Sequence, residues 1–360
     1  MKRRSFLKDA AWATVLATAA PALSACSQVG ASKKNHDRIA AQLPFRADGT
    51  FTLLQFTDTH YIAGDPRSER ALACVKDAIE GVKPDLIIHT GDIVFGRPDL
   101  DSAREILTPL AESGIPWAVA LGNHDSQFGS TREEIFSLIR SLPGCVNTEP
   151  KEGVYGCSND VITLKGPNGV ERAFYLFDSM DAVILKGMEE EHCYDYIRLS
   201  QLDWYNAHSQ KLQEQNGGQP VPSLAFFHIP LREIERALLE APNRYLVGNN
   251  GEEPCPSRVN SGLFGLFLER GDVRAVVTGH DHDCDYVLRG ETGIYFIYGR
   301  FSGCDTVYNR LGRTGKSTKE YPQERVSGCR VFQFRSGQPG CRTWVRLMGG
   351  EEQNAVDIMA

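Results

Sequence analysis

Five short apolar runs in this chain each stop at a cluster of polar residues of a narrow kind, and no other feature constrains the fold as much. The run over residues 51–57 ends in Asp58-Thr59-His60. The run over 86–89, behind the breaker Lys83-Pro84, leads into Gly91-Asp92, and the run over 117–121 into Gly122-Asn123-His124-Asp125. Later, 223–228 closes on Phe226-Phe227-His228, and 275–278 on Gly279-His280-Asp281-His282. Short apolar runs bounded by Gly, Pro, Asp and Asn predict buried strands.

Helical spacing fills the gaps. Residues 70–81 place Ala71, Val75, Ala78 and Ile79 on one face, and 101–113 predict a second helix closed by Gly114. Further strands are expected at 173–178 and 294–298, with a terminal hairpin of 329–334 and 341–347 around Ser336-Gly337. Strands alternating with helices argue an α/β chain. The later strands follow one another with less helix between them, which predicts mixed sheets. No linker divides residues 47–350, so these are expected to form one domain, with 351–360 as a tail.

Residues 1–26 read as an export signal rather than as part of the fold. Lys2-Arg3-Arg4-Ser5-Phe6-Leu7-Lys8 resembles a twin-arginine signal. The Ala-rich stretch behind it is too short and too weakly apolar to span a membrane. Leu23-Ser24-Ala25-Cys26 resembles a lipoprotein cleavage box, which would make Cys26 the lipid attachment site; an ordinary cleaved signal, with Cys26 incidental, is the other reading. Residues 27–46 read as a polar tether. The chain is thus expected to be exported to the cell envelope or periplasm and to meet the membrane only through its N-terminal lipid.

Without the leader's Lys2, Arg3, Arg4 and Lys8, and its one acid, Asp9, 35 basic residues face 45 acidic ones. An acidic body offers no electrostatic footprint for duplex nucleic acid. Beyond Cys26 there are nine cysteines, an odd number, so in an oxidising compartment at least one stays unpaired within the chain. No pair has zinc-finger spacing. Cys74, among Ala71, Leu72, Val75 and Ile79, is expected to be buried and unpaired.

Loops at the carboxyl ends of strands are where an α/β sheet presents its sites. The strand ends would therefore gather Asp58, His60, Asp92, Asn123, His228, His280 and His282 at one edge. Such donors suit manganese, iron, zinc or cobalt and need no thiolate. A carboxylate on a central strand can bridge two ions about 3.5–4 Å apart, and such a pair makes hydroxide available at neutral pH. A histidine beside the pair can protonate a leaving alkoxide. Gly91, Gly122 and Gly279 would let the backbone turn sharply there.

Asp-x-His, Gly-Asp, Gly-Asn-His-Asp, a lone His after an apolar strand and Gly-His-x-His, in that order across residues 51–300, resemble the calcineurin-like metallophosphoesterase superfamily. The resemblance is closer to its purple-acid-phosphatase-like branch. It rests there on Gly91-Asp92-Ile93-Val94-Phe95-Gly96, Ser200-Gln201-Leu202-Asp203-Trp204 and Phe227-His228-Ile229-Pro230-Leu231. Val259-Asn260-Ser261-Gly262-Leu263-Phe264 and Tyr298-Gly299-Arg300 carry it as well.

It implies a four-layer αββα sandwich of two mixed β-sheets, with a dinuclear metal site at strand carboxyl ends. The implied activity is metal-dependent hydrolysis of a small phosphoester by a bridging hydroxide. Asp58, His60 and His282 would hold one ion, Asn123, His228 and His280 the other, and Asp92 would bridge. His124 would be the general acid, and Asn123, His124 and Arg300 would meet the substrate. Purple acid phosphatases proper carry a Tyr ligand where this chain has Phe95, so their colour is not expected. Two alternatives stay open: a phosphodiesterase acting on nucleotide or lipid diesters, and an idle envelope binding protein of the same fold.

Neighbouring polar residues have plainer readings. Asp125 either orients His124 or caps the following turn, the second being favoured. His89 is expected in the core, and His36, His192 and His208 in polar segments away from the metals. Asp281, Asp283 and Asp285 read as solvated loop charges, with a supporting hydrogen bond to a ligand as the other reading. Cys284 reads as a small buried side chain, and Asn260 as a weaker analogue of Arg300.

Overall fold

Phe51 and Leu53 point to one side of their strand and Leu54 and Phe56 to the other, yet all four are buried. A strand covered on both faces carries an unbroken apolar run rather than an alternating one. The layers covering it define the architecture.

The computed structural model describes residues 36–240, 246–304, 306 and 326–358. The twin-arginine segment, Cys26 and residues 27–35 of the expected tether lie outside them. In chain order the strands are β1 (Ala41–Pro44), β2 (Thr50–Phe56), β3 (Leu86–His89), β4 (Trp117–Val119), β5 (Asp160–Gly166), β6 (Gly169–Leu176) and β7 (Ser223–Phe226). They continue as β8 (Leu246–Val247), β9 (Val273–Thr278), β10 (Val287–Arg289), β11 (Tyr295–Tyr298), β12 (Gly328–Arg335), β13 (Cys341–Leu347) and β14 (Glu352–Ile358). The α-helices are α1 (Glu69–Val82), α2 (Asp99–Glu112), α3 (Arg132–Ser141), α4 (Leu199–Gln215), α5 (Glu233–Glu240) and α6 (Leu263–Arg270).

Six strands form one sheet in the order β14-β13-β12-β2-β3-β4, and eight form the other in the order β1-β5-β6-β7-β9-β11-β10-β8. Both are mixed: β2, β3 and β4 run parallel while β12 runs antiparallel beside β2 and β13 antiparallel beside β12, and β6, β7, β9 and β11 form a parallel block in the larger sheet. Phe51, Leu53 and Ile88 from the small sheet meet Phe174, Phe226 and Ile297 from the large one in a layer between them. Helices α1, α2 and α3 cover the outer face of the small sheet through Val75, Leu107 and Phe136. Helices α4, α5 and α6 cover the large sheet through Trp204, Ile234 and Phe267. This is the αββα sandwich of the sequence expectation.

Local chemistry sets the helix ends. At α1, Lys83 takes φ 52° and its N–H caps Ile79 O before Pro84. Helix α3 begins with a capping box, Glu134 N donating to Thr131 Oγ1 at 3.2 Å while Thr131 N donates to Glu134 Oε2 at 2.8 Å. Cys74 is a buried free thiol on α1, as expected, and burial pushes it up to about 12.

The folded unit reaches further than the expected span of 47–350. Residues 41–44, assigned to the tether, are β1 and pair parallel with β5. Residues 352–358, assigned to the tail, are β14 and pair antiparallel with β13. Each is an edge strand with partly exposed side chains, so neither carries the apolar run that marks a central strand.

Candidate metal centre

Strands β2, β3 and β4 are parallel neighbours, so the loops leaving their carboxyl ends lie side by side. The ladder continues into those loops: Asp58 N donates to Gly91 O at 3.0 Å and His60 N to Asp92 O at 3.0 Å. Strands β7 and β9 of the facing sheet deliver His228, His280 and His282 to the same place. Hydrogen bonds join the sheets there. His280 N donates to Asp58 Oδ2 at 3.1 Å, and His228 Nδ1 donates to Thr90 O at 2.7 Å.

Seven described non-glycine residues have positive φ, and four of them are candidate ligands: Asp58 (57°), His60 (46°), Asp92 (53°) and His280 (77°). Such conformations cost roughly 1–3 kcal/mol each and persist where surrounding contacts over-determine them. The candidate ligands themselves therefore make most of the sharp turns expected of the glycines. Gly91 does turn, with φ 88°. Gly122 and Gly279 serve close approach instead. A Cβ at 122 would lie 2.2 Å from Asp92 Oδ1, and one at 279 would lie 1.9 Å from Thr57 Oγ1 and 2.6 Å from Asp58 Oδ2.

The donors fall into two groups that share one residue, Asp58-His60-Asp92-His282 and Asp92-His228-His280. In the first, His60 Nε2 lies 2.9 Å from His282 Nε2 and 3.6 Å from Asp58 Oδ1, and His282 Nε2 lies 3.2 Å from Asp58 Oδ1. In the second, His228 Nε2 lies 3.1 Å from Asp92 Oδ2 and 3.3 Å from His280 Nδ1. Ligands held about 2.1 Å from one ion stand roughly 3–3.4 Å apart. Asp92 Oδ2 and Asn123 Oδ1 are buried without a properly aligned hydrogen bond. Orphaned acceptors of that kind cost about 1–3 kcal/mol each, and cations would satisfy them. Oxygen and imidazole donors at this spacing fit a pair of metal ions.

Electrostatics agree. Burial disfavours charge on His228, but Asp92 and Asp58 outweigh it and push the imidazole up to about 9. Burial would also raise Asp58, but His282 and His228 hold it well below its ordinary value. His60 is driven down to about 4 by burial, which keeps it a neutral donor. A site with two buried carboxylates draws in positive charge, and metals supply it by displacing protons.

His124 stands at the rim, its side chain 28% exposed, with Nε2 3.9 Å from Asp92 Oδ2. Its backbone N donates to Asp92 Oδ1 at 2.8 Å, and its Nδ1 lies 2.6 Å from Gln127 Oε1. The Phe95 ring packs edge-on at 4.8 Å from His124 and 5.0 Å from His60. It thus borders the centre with no phenol oxygen to offer.

A calcineurin-like phosphoesterase model matches residues 51–284, a span holding every donor described above. This chain belongs to the calcineurin-like phosphoesterase family. Among its relatives is the probable inactive purple acid phosphatase 14 of Arabidopsis thaliana, 30% identical over 345 residues, or 85% of this chain and 82% of that protein. The probable inactive purple acid phosphatase 28 of the same plant is 32% identical over 344 residues, with 85% and 82% covered. Phosphatase DCR2 of Saccharomyces cerevisiae is 26% identical over 349 residues, 88% of this chain but 57% of the yeast protein. Among solved structures, Plasmodium GAP50, the anchor in the inner membrane complex, superposes with a TM-score of 0.52 at 11% identity, covering 86% of this chain and 89% of that one. That likeness concerns the fold alone.

Around this family centre the structure reassigns several residues. Asp125 neither touches the His124 ring nor merely caps a turn. Its carboxylate accepts the backbone N–H of Asp92 (3.1 Å), Ile93 (2.7 Å) and Gly122 (2.7 Å), clamping the loop that carries the shared carboxylate. Asp281 is buried rather than solvated. It accepts from Tyr298 Oη at 2.6 Å, and burial pushes its carboxyl up to about 7. Asp285 is buried too, and it explains Arg300: Nη1 of that guanidinium donates to Asp285 Oδ2 at 2.6 Å and Nη2 to Val326 O at 2.8 Å. Arg300 lies outside both donor groups, its charge already matched.

Asn260 is spent on Glu233 and on Gly262 N. His208 was expected in a polar surface segment but is buried against Trp204, with Nε2 2.9 Å from His36 O. His89 is the core strut expected of it. Thr59 Oγ1 donates to Ile93 O and so accepts from His89 Nε2 at 3.1 Å, while His89 Nδ1 accepts from Gly91 N at 3.1 Å. His192 is exposed and meets Tyr194, whose ring stands edge-on to His280 at 4.4 Å. Cys284 is buried, as expected.

Proposed function

We propose that this chain is an exported, metal-dependent phosphatase acting on a small phosphoester. The observation that carries the reading is the pair of donor groups sharing Asp92, with the Nε2 of a rim histidine 3.9 Å from the shared carboxylate. When bound, two metal ions of the manganese, iron, zinc or cobalt kind would supply charge for the phosphate oxygens and hydroxide at neutral pH. Asp58, His60 and His282 would hold one ion and Asn123, His228 and His280 the other, with Asp92 between them. Asp125 keeps Asp92 in register by tying down its loop. His124 would deliver a proton from Nε2 to the departing oxygen of the ester, the step general acids accelerate by about 10²–10⁴-fold. Phe95 in place of a Tyr ligand supports an uncoloured iron form.

Phosphomonoester hydrolysis tests this directly. Asp92→Asn should keep the fold, judged by near-UV circular dichroism, and lose turnover of p-nitrophenyl phosphate. Retained turnover would refute the role of the shared carboxylate.

The Arabidopsis relatives are named as inactive, which favours a second reading, an envelope binding protein that keeps the metals without turnover. The presence of His124 beside a full donor set argues for the enzyme. The leader supports twin-arginine export with Cys26 as the lipidated residue of an envelope protein. Cys26→Ser should then release the chain from the membrane fraction, and an unchanged distribution would remove the anchor.

A further inference from the structure

We propose that Gln127 and Asp181 form a polar relay that fixes which ring nitrogen of His124 carries the proton. The relay is a positioning device for the acid in the function proposed above, and it rests on that reading for its purpose but not for its geometry. Gln127 Nε2 donates to Asp181 Oδ1 at 2.7 Å, and Gln127 Oε1 lies 2.6 Å from His124 Nδ1.

The chemistry of each partner leaves one consistent arrangement. A carboxylate only accepts, so Asp181 selects the NH2 end of the Gln127 amide. The carbonyl end is then turned to His124, and a carbonyl also only accepts. His124 Nδ1 must therefore bear the hydrogen in the neutral ring. That leaves Nε2, on the side of Asp92, with the lone pair. A second proton taken by this ring can sit only on Nε2, the nitrogen turned toward Asp92. An unheld imidazole would exchange between both tautomers and leave the lone pair on Nε2 only part of the time.

The obvious orienting residue is already committed, because the Asp125 carboxylate is occupied by backbone N–H groups. Asp181 reaches the site from the segment after β6 and is itself held. Its carbonyl accepts from Asp195 N at 3.1 Å, and the next residue, Ala182, bridges to Tyr194. Phe95 and Phe128 flank the His124 ring at 4.8 and 6.4 Å, so packing sets the ring plane while the relay sets its hydrogen.

The test uses metal-free, full-length protein labelled with 15N-histidine. The His124 signals are assigned by their loss in His124→Gln. The wild type should show a protonated Nδ1 and an unprotonated Nε2. Gln127→Ala and Asp181→Ala, with unchanged thermal midpoints, should show averaged ring nitrogens. After metal loading, both variants should lose roughly tenfold in kcat on an alkyl phosphate, with KM retained, a part of the general-acid contribution. A wild-type ring protonated on Nε2, or an unaltered pattern in both variants, would overturn the relay. If the tautomer shifts as expected while the loaded protein cleaves no ester, the relay stands and the phosphatase reading fails.

Discussion

Arg132 and Asp178 pair from opposite layers of the fold, Nη2 to Oδ1 at 2.6 Å, with both side chains buried. Arg132 opens α3 behind the small sheet and also donates from Nη1 to Gly122 O at 2.8 Å, while Asp178 follows β6 of the large sheet and accepts Cys157 N at 2.7 Å. The pair therefore pins the loop carrying Asn123 and His124 to the facing layer. Burial would raise the Asp178 carboxyl, but Arg132 outweighs it and holds the pKa below its ordinary value. A lowered folded-state pKa contributes stability that is present above the unfolded pKa of about 3.9 and lost as pH falls through the folded one. Wild-type stability to urea should thus decline below about pH 4. Asp178→Asn should lose about 3–5 kcal/mol at neutral pH, since it leaves a buried guanidinium unpaired, and should decline less with acid. Equal stability of the two proteins at neutral pH would contradict this account of the pair.

His124 is predicted to matter in proportion to how badly the leaving group needs a proton. His124→Ala should cost about 10²–10⁴-fold in kcat on an alkyl phosphate and far less on p-nitrophenyl phosphate, whose phenolate leaves unaided. Equal losses on both esters would remove the acid role.

Much of this site can be read along the chain, because each donor follows an apolar run whose burial fixes where it ends. Central strands β2, β3, β7 and β9 are covered on both faces and announce themselves as largely apolar stretches without regular alternation. Edge strands β1 and β14 are half exposed, so their polar alternation reads as tether and tail. Helix α3 did carry a signal, the Thr131-to-Glu134 spacing of a capping box. The supporting contacts carried none. Gln127 meets Asp181, 54 positions away, and Arg132 meets Asp178, 46 away, through the approach of two sheets that no local pattern encodes. Asp281 and Asp285 look solvated in a polar loop until the fold buries them against Tyr298 and Arg300.

Gly122 should be intolerant of a side chain although its own φ is not positive, because a Cβ there would lie 2.2 Å from Asp92 Oδ1. Overpacking of this sort costs about 1–3 kcal/mol, and here the atom displaced belongs to the carboxylate shared by both donor groups. Gly122→Ala should fold with a lowered thermal midpoint and bind fewer than two metals per chain by elemental analysis. Full metal content would show that the loop yields without moving Asp92.

Arg300 is predicted to stabilise rather than to bind substrate, since its guanidinium is matched by Asp285. Arg300→Ala should leave KM for p-nitrophenyl phosphate unchanged and lower stability by about 3–5 kcal/mol through the buried carboxylate left behind. A raised KM with intact metal content would return Arg300 to the phosphate.

The central claim is that two metals held around Asp92 hydrolyse a phosphoester. The most direct measurement strips the protein with chelator, reloads it with manganese, iron, zinc or cobalt, and follows p-nitrophenyl phosphate beside bis-p-nitrophenyl phosphate. The account predicts two ions per chain, activity that vanishes with chelator and returns with metal, and faster turnover of the monoester. Protein that binds no metal, or cleaves neither ester nor any natural phosphoester when fully loaded, would contradict it.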